Sequence, residues 1–325
     1  MNLFTLRIEL INRQHVKHHF SRAASTYDEA AVIQRQVAKD MAERTLLLKS
    51  SKENVLELGC GTGLLTEQLC QHYPDAKITA VDLSAQMLLQ SKLRLATKSA
   101  KWRFWSVPRL PVEWVQADAY SLPFADASFD MLVSNFMLQW CEDLDKVFTE
   151  MRRVIRPGGA LMFSTFGPDT LKELRQAWLS VEGESAHRRF NDFIDMHDIG
   201  DALIRNGFGQ PVMDVDLLQL VYDKPINVLK DLKLLGATNA AATESQSSGL
   251  LGRKTLSKVL AAYEAETSHL GQVAASFEVV QGHAWAVQEI MKGPNRDKSG
   301  VVNITLDELA VELKNRRNQG GESSL

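Results

Sequence analysis

Cysteine is scarce in this chain, with three in 325 residues, at positions 60, 70 and 141. So few thiols build neither a disulfide framework nor a structural metal cluster, and they read as reduced side chains of a cytoplasmic protein. An excess of charge is also missing. Thirty-seven Lys and Arg stand against 40 Asp and Glu, a net charge of −3, so no bulk field argues for a nucleic-acid partner. Long apolar runs are absent too. No segment reaches bilayer-spanning length, and residues 1–10 contain Arg7 and Glu9 and lack a signal-peptide core, so no membrane association is expected. Arg7, Arg13 and Lys17 would suit an organelle presequence, and Glu9 argues against one. The rest is ordinary for a globular protein, with 45% hydrophobic and 24% charged residues and enough length to bury a large core.

The most informative stretch is Asn54–Gly63, N-V-L-E-L-G-C-G-T-G. Val55, Leu56 and Leu58 form a short apolar strand. Gly59, Gly61 and Gly63 follow at alternate positions, and Leu64–Leu69 starts a helical pattern. Strand, glycine turn and helix open a nucleotide-binding α/β domain, in which bare backbone lets a ligand approach closely. A dinucleotide fingerprint wants glycine at its sixth position, where this chain has Leu64. An acid, Glu57, lies near the end of the strand instead.

Residues 14–50 predict two helices packed on the sheet or over its ligand end, either as an ordinary amphipathic pair or with Tyr27 as a lid residue. Ile78–Val81 reads as a second strand ending at Asp82. A carboxylate there can accept from both hydroxyls of a ribose, or it can cap a helix. Its position 25 residues after Glu57, with one helical segment between, favours the ribose. Met87 offers a soft apolar contact to a flat ring or joins the core. Residues 98–111 are basic and aromatic with two prolines, which suits a binding surface or an edge hairpin. Val112–Val115 is a third strand, followed by Asp118, an acceptor for the exocyclic amine of adenine, and Ala119, whose backbone N–H could reach the ring. Ser128–Ser134 is a fourth strand. Asn135–Trp140 lies just past its end, where open parallel sheets bind ligands. A helix over Leu144–Ile155, a turn at 156–159 and a fifth strand over Ala160–Thr165 complete a doubly wound α/β pattern.

Glu57 to Gly63, Asp82, Asp118 and the Arg156–Gly159 turn resemble, motif for motif, the class I S-adenosylmethionine-dependent methyltransferases. The resemblance implies a Rossmann-like, seven-stranded, mostly parallel sheet with an antiparallel last strand. It also implies S-adenosyl-L-methionine as cofactor, with Glu57, Gly59, Gly61, Gly63, Asp82, Met87, Asp118, Ala119 and Asn135 around it. A closer likeness runs over residues 14–290. Phe20–Asp28, Leu138–Trp140, Phe166–Trp178, Phe190–Ile199, Asp231–Gly236 and Gly282–Trp285 resemble the malonyl-acyl-carrier-protein O-methyltransferases of biotin synthesis. These methylate the free carboxylate of a malonyl thioester, so that fatty-acid synthesis can elongate it toward pimeloyl. The implied division is a helical cap over 1–50, a cofactor core over 51–165 and late strands with a helical substrate lid over 166–290. A C-terminal extension, disordered at its end, would occupy 291–325. Residues 98–111 depart from that family's pattern. Phe166–Leu171 and Leu232–Asn239 are shared with a sister family of complex I assembly factors that resemble arginine hydroxylases.

Within the lid, helices are expected over Phe166–Val181, Met196–Asn206 and Lys224–Leu235, and strands over Val212–Tyr222 and Phe277–Trp285. Thr238–Leu250 reads as a polar loop. A malonyl carboxylate is ionised at neutral pH, so the chemistry needs alignment and desolvation rather than a strong base. His197 and His283 are therefore read as structural. A guanidinium would hold the carboxylate. Arg22, Arg175, Arg188 and Arg189 are the candidates, Arg175 first. Tyr27 would bond the cofactor carboxylate or the substrate oxygen. The expected partner is malonyl-acyl-carrier protein, or malonyl-CoA. An acidic carrier would meet a basic mouth at Lys98, Lys101, Arg103 and Arg109. Two further readings stay open at this point: a methyltransferase for another small acid or quinone, and an assembly-factor-like protein hydroxylase.

Overall fold

Val55, Leu56, Ile78, Ala80, Val81 and Met131–Val133 are almost wholly buried. Strands that are apolar on both faces require cover on both sides, as in a parallel sheet. The computed structural model describes residues 12–102, 112–190, 192–237, 253–267 and 272–287, with the backbone alone at 98–102 and 188. Seven strands form one sheet: β1 (Asn54–Leu58), β2 (Lys77–Asp82), β3 (Val112–Gln116), β4 (Phe129–Asn135), β5 (Ile155–Phe166), β6 (Phe208–Tyr222) and β7 (Val273–Ala286). Their order is β3-β2-β1-β4-β5-β7-β6. β1 to β5 pair in parallel, and β7 runs antiparallel to both of its neighbours. The doubly wound sheet with an antiparallel final strand is thus as the sequence implied.

Ten α-helices are described: α1 (Arg13–Ala23), α2 (Tyr27–Ala30), α3 (Val32–Thr45), α4 (Leu64–His72), α5 (Ala85–Trp102), α6 (Leu144–Val154), α7 (Lys172–Glu182), α8 (Met196–Arg205), α9 (Pro225–Leu234) and α10 (Arg253–Thr267). One face of the sheet packs on α6 and α8 through Val147, Phe148, Met151, Ile199 and Leu203. The other packs on α3 and α4 through Met41, Ala42, Leu65 and Leu69. A third core joins α7, α9 and α10 to the N-terminal half of β7, through Leu174, Trp178, Val228, Val259, Tyr263 and Phe277. This last core lies in the region that the sequence reading expected to cover the substrate.

Several boundaries differ from the sequence reading. The N-terminal segment holds three helices rather than two. The Thr26 hydroxyl bonds the Ala23 and Leu234 carbonyls, which turns the chain at the end of α1 and ties it to α9. Residues 98–102 continue α5 instead of opening an insertion, since no breaker occurs before Pro108; residues 103–111 lie outside the described residues. α7 begins at Lys172 and not at Phe166. Residues 167–171 form a turn in which Glu278 accepts from Asp169 N at 2.6 Å and Leu171 takes φ +56°. β6 and β7 are longer than expected, beginning at Phe208 and Val273. Residues 1–288 form one unit and 289–325 another. The second unit lies outside the described residues, as do the expected loop at 238–250 and the expected tail.

Candidate functional site

The connections from β1 and β4 leave the sheet in opposite directions, and this topological switch opens a crevice at their C-terminal ends. A cavity of about 780 Å³, including its mouth, fills it. Leu58, Gly59 and Gly61 form its floor, Asp82 and Met87 one side, Asp118–Tyr120 another, and Phe20 and Tyr27 the cover. Gly61 has φ +53° and nothing within 4 Å of where a Cβ would stand, so its backbone faces open space. A Cβ at Gly59 would lie 2.6 Å from Met137 Cγ. Gly63 does not line the cavity. It turns the chain into α4 at φ +84°, pressed against Ser91.

Asp82 ends β2, as read from the sequence. Its Oδ2 accepts from Gly61 N at 2.9 Å and its Oδ1 from Ser84 N at 2.8 Å. Burial pushes its pKa up to about 6 against these backbone donors. The carboxylate therefore fixes the glycine loop and still lines the cavity. Met87 lines it too, buried to 1%. Asp118 is more heavily engaged than expected: its Oδ2 pairs with Arg13 Nη1 at 2.8 Å and its Oδ1 accepts from Tyr120 N at 3.0 Å. Ala119 lines the wall beside it, and its backbone N–H has no partner among the described residues. Asn135 also lines the cavity, but its side chain is committed. Nδ2 donates to the Gln34 carbonyl at 3.2 Å, and Oδ1 accepts from Ser164 at 2.7 Å. It is a braced wall more than a ligand donor.

Behind Gly59 and Gly61 a side pocket of about 280 Å³ reaches Glu57, Tyr27 and Thr62. Glu57 is 1% exposed, and its Oε2 has no hydrogen-bond partner among the described residues. Burial raises its pKa to about 8, with the Thr66 hydroxyl pulling it down and Asp82 pushing it up. A buried, unpartnered carboxylate oxygen is costly unless a cation meets it. Tyr27 borders both spaces, and its hydroxyl has no described partner. Burial first, then Asp82 and Asp28, push its pKa well up, so it stays a protonated donor. Its neighbour Asp28 accepts from Thr62 Oγ1 at 2.7 Å and pairs with Arg94, which latches α2 to the glycine loop. The set fits S-adenosylmethionine: Asp82 for a ribose diol, Met87 and Ala119 for a purine, Glu57 for an α-ammonium.

A second chamber, about 1030 Å³ including its mouth, lies among α7, α9 and the N-terminal half of β7. Trp140 lines both chambers and forms their common wall. Beside it, Phe136 of the first chamber stacks on Phe166 of the second with centroids 4.3 Å apart. Phe136 has φ +53°, a strained backbone for a bulky residue at the boundary. Phe166, Phe190, Phe193, Leu229 and Phe277 make the second chamber apolar. Arg175 of α7 lines it, with its guanidinium 5.3 Å from the Phe190 ring and 5.2 Å from the Phe193 ring. Burial lowers the Arg175 pKa, and Asp192 opposes that shift. Arg189 lines the chamber as well, but Glu182 holds it in a two-pronged pair at 3.0 Å and Trp178 stacks on it. Arg22 is exposed on α1 and lines neither chamber, and the Arg188 side chain lies outside the described residues. His197 pairs with Asp195 at the exposed start of α8, and half-buried His283 lies on β7; neither lines a chamber.

Arg13 joins the site without having been read as part of it, whereas Gln139 and Trp140 fall in the stretch after β4 where a ligand was expected. Arg13 is 105 residues from its partner Asp118, a separation no local pattern reveals. The Lys98, Lys101, Arg103 and Arg109 side chains lie outside the described residues. The three thiols are free and buried, and Cys141 borders the first chamber. No described helix is long and apolar enough to cross a membrane.

The chain matches a methyltransferase-domain family model over residues 56–163. It is 45% identical over 279 residues to the malonyl-[acyl-carrier protein] O-methyltransferase of Methylovorus sp. (strain MP688), covering 86% of this chain and 90% of that protein. The enzyme of the same name from Nitrosospira multiformis is 44% identical over 280 residues, covering 85% and 89%. A crystal structure from Bacillus halodurans aligns with TM-score 0.53 at 15% identity, covering 77% of this chain and 99% of that one, and supports the fold.

Proposed function

Since the chain belongs to the malonyl-[acyl-carrier protein] O-methyltransferase family, we propose that it methylates the free carboxylate of malonyl-acyl-carrier protein, using S-adenosylmethionine. The other two readings, a different small acid and a protein hydroxylase, give way to the shared identity over most of the chain. The product is a malonyl methyl ester, the disguised diacid that primes biotin synthesis. Malonyl-CoA presents the same malonyl thioester and is proposed as a second acceptor. The observation that best supports this reading is the pair of chambers meeting at Trp140. One is lined by Asp82 and adjoins the side pocket of Glu57. The other is apolar with a guanidinium inside.

When bound, S-adenosylmethionine supplies a methyl on a sulfonium; a carboxylate oxygen gains the C–O bond as the S–C bond breaks, and no proton has to move. The protein's part is binding, orientation and exclusion of water. Asp82 accepts the ribose hydroxyls and Glu57 the α-ammonium. Tyr27, protonated throughout the working range, donates to the cofactor's carboxylate or to the substrate oxygen. Arg175 attracts the malonyl carboxylate into an apolar chamber, where the guanidinium offsets the carboxylate's loss of water. Its aromatic neighbours keep the guanidinium in place. Phe136, Phe166 and Trp140 keep water from the reacting oxygen. His197 and His283 take no part, because no base is needed.

Acidic carrier protein would dock on a basic rim. Lys98, Lys101, Arg103 and Arg109 are proposed for it. α1 adds Lys17 and Arg22, while its Arg13 is paired with Asp118 in the first chamber. Charge reversal at these positions should raise KM for the carrier substrate and spare kcat; an unchanged KM would remove the rim from the account. The free buried thiols fit a reducing compartment, and the cytoplasm is proposed as its site of action. The activity itself is tested by mass spectrometry of malonyl-loaded carrier after incubation with the protein and cofactor. A base-labile gain of one methylene on the malonyl arm supports the proposal, and an unmodified arm refutes it.

A further inference from the structure

The Leu138–Trp140 turn follows β4 at the boundary of the two chambers. Its middle residue, Gln139, is 9% exposed and lines the second chamber, and the next residue is the shared wall Trp140. The Gln139 amide is oriented. Its Oε1 accepts from Thr165 Oγ1 of β5 at 3.2 Å. Its Nε2 has no partner among the described residues. With Oε1 taken by Thr165, the two Nε2 donors of this 9%-exposed residue are left for a ligand in the apolar cavity that Gln139 lines.

On the proposed reading, the occupant carries two acceptors of different kinds. The carboxylate is anionic and suits Arg175. The thioester carbonyl, one methylene away, is neutral and would lose its water on entering a chamber walled by phenylalanines. A neutral amide donor suits that oxygen, since a second cation would draw the carboxylate toward itself and compete for its position. We propose that Gln139 Nε2 donates to the malonyl thioester carbonyl. Gln139 is thereby the residue that selects an acid with a carbonyl on the β-carbon over a plain carboxylate. Thr165 is a positioning residue: it holds the amide oxygen away and keeps the NH₂ toward the substrate. The pairing also sets the distance between the carbonyl and the reacting carboxylate. Longer diacids, whose carbonyl stands further off, would leave Nε2 unpaired. A site built to bond a polar group rejects an analogue lacking it strongly, because the site's own donor is then stranded.

The test uses the full chain and two acceptors, malonyl-pantetheine and the thioether in which a CH₂ replaces its carbonyl. Wild-type protein should prefer the thioester in kcat/KM. Gln139→Leu should lower kcat/KM for the thioester by about 10- to 100-fold and leave the thioether within about twofold. Comparing the two ratios cancels the intrinsic reactivity of the two carboxylates. Thr165→Val should erode the preference partially, and Thr165→Ser should restore it. Unchanged binding of S-adenosylhomocysteine by each variant shows that the fold and first chamber are intact. If Gln139→Leu lowers both acceptors equally, or spares the thioester, the inference is overturned while the methyltransferase reading stands. If wild-type protein methylates neither acceptor nor malonyl-loaded carrier, the reading itself fails and takes the inference with it.

Discussion

The two chambers that meet at Trp140 are built on opposite plans. The first is made at the ends of adjacent parallel strands. Leu58, Asp82 and Asn135 come from β1, β2 and β4, and Gly61 N donates to the Asp82 carboxylate at 2.9 Å. The second is assembled from distant pieces, α7, α9, β7 and the turn after β4, and is lined mostly by aromatic and aliphatic side chains. Polar recognition of a fixed cofactor suits a rigid frame. A chamber for a long carrier-borne substrate suits a lid resting on its own core. The division teaches that binding of the methyl donor and selection of the acceptor are separable in this molecule, and mutations should separate them.

The largest expected effect lies on the first side. Asp82→Ala removes the acceptor of the ribose diol and the anchor of Gly61. Two charge-assisted hydrogen bonds at about 1.5–2 kcal/mol each correspond to a loss of about 10²- to 10³-fold in affinity for S-adenosylhomocysteine, measured by titration calorimetry. On the second side, Arg175→Met keeps the apolar stem and removes the charge. It should lower kcat/KM for malonyl-loaded carrier by about 10²-fold, with S-adenosylhomocysteine affinity unchanged.

A smaller effect sharpens the first side through pH. Burial raises the Glu57 pKa from the ordinary 4.5 to about 8. Between these values the folded, ligand-free protein holds a proton that the unfolded chain has released. This group's contribution to stability therefore falls as pH rises from 4.5 to about 8. An α-ammonium beside Glu57 favours the carboxylate, so cofactor binding releases that proton. Affinity should rise with pH by up to about tenfold per unit toward this pKa, and Glu57→Gln should flatten the slope in the same titrations. The smallest effect is a control within the second chamber. Arg189 is already committed to Glu182 and Trp178, so Arg189→Met should change kcat/KM by less than about threefold. A loss equal to that of Arg175→Met would mean that the wrong guanidinium has been assigned to the carboxylate.

How far each chamber was legible in the sequence follows from the same contrast. Glu57, Gly59, Gly61, Asp82, Asp118 and Ala119 sit at strand ends, where a parallel sheet puts ligands by topology, so strand-by-strand reading reaches them. Gly63 carries the same motif yet serves the turn into α4, because its neighbour is Ser91 and not the cavity. The fold was legible for the same reason, since apolar strands alternate with helices at regular spacing. The second chamber was legible only in outline. Arg175 could be named as a candidate, but its aromatic bracket comes from Phe190 and Phe193 beyond an irregular segment. The pairing of Arg13 with Asp118 and the turn held by Thr26 against Leu234 depend on contacts across 105 and 208 residues, which periodicity does not carry. The early start of β7 was hidden by Ala274–Ser276, small residues whose strand is defined by pairing with β6 rather than by their own apolar pattern.

The central claim is that Trp140 divides one active site into a methyl-donor chamber and an acceptor chamber. Its most direct test is to titrate S-adenosylhomocysteine and malonyl-loaded carrier separately into wild-type, Asp82→Ala and Arg175→Met protein. The account predicts crossed results. Asp82→Ala should weaken S-adenosylhomocysteine by more than about 100-fold and the malonyl carrier by less than about threefold, and Arg175→Met should weaken only the malonyl carrier. Equal weakening of both ligands by either variant would contradict it.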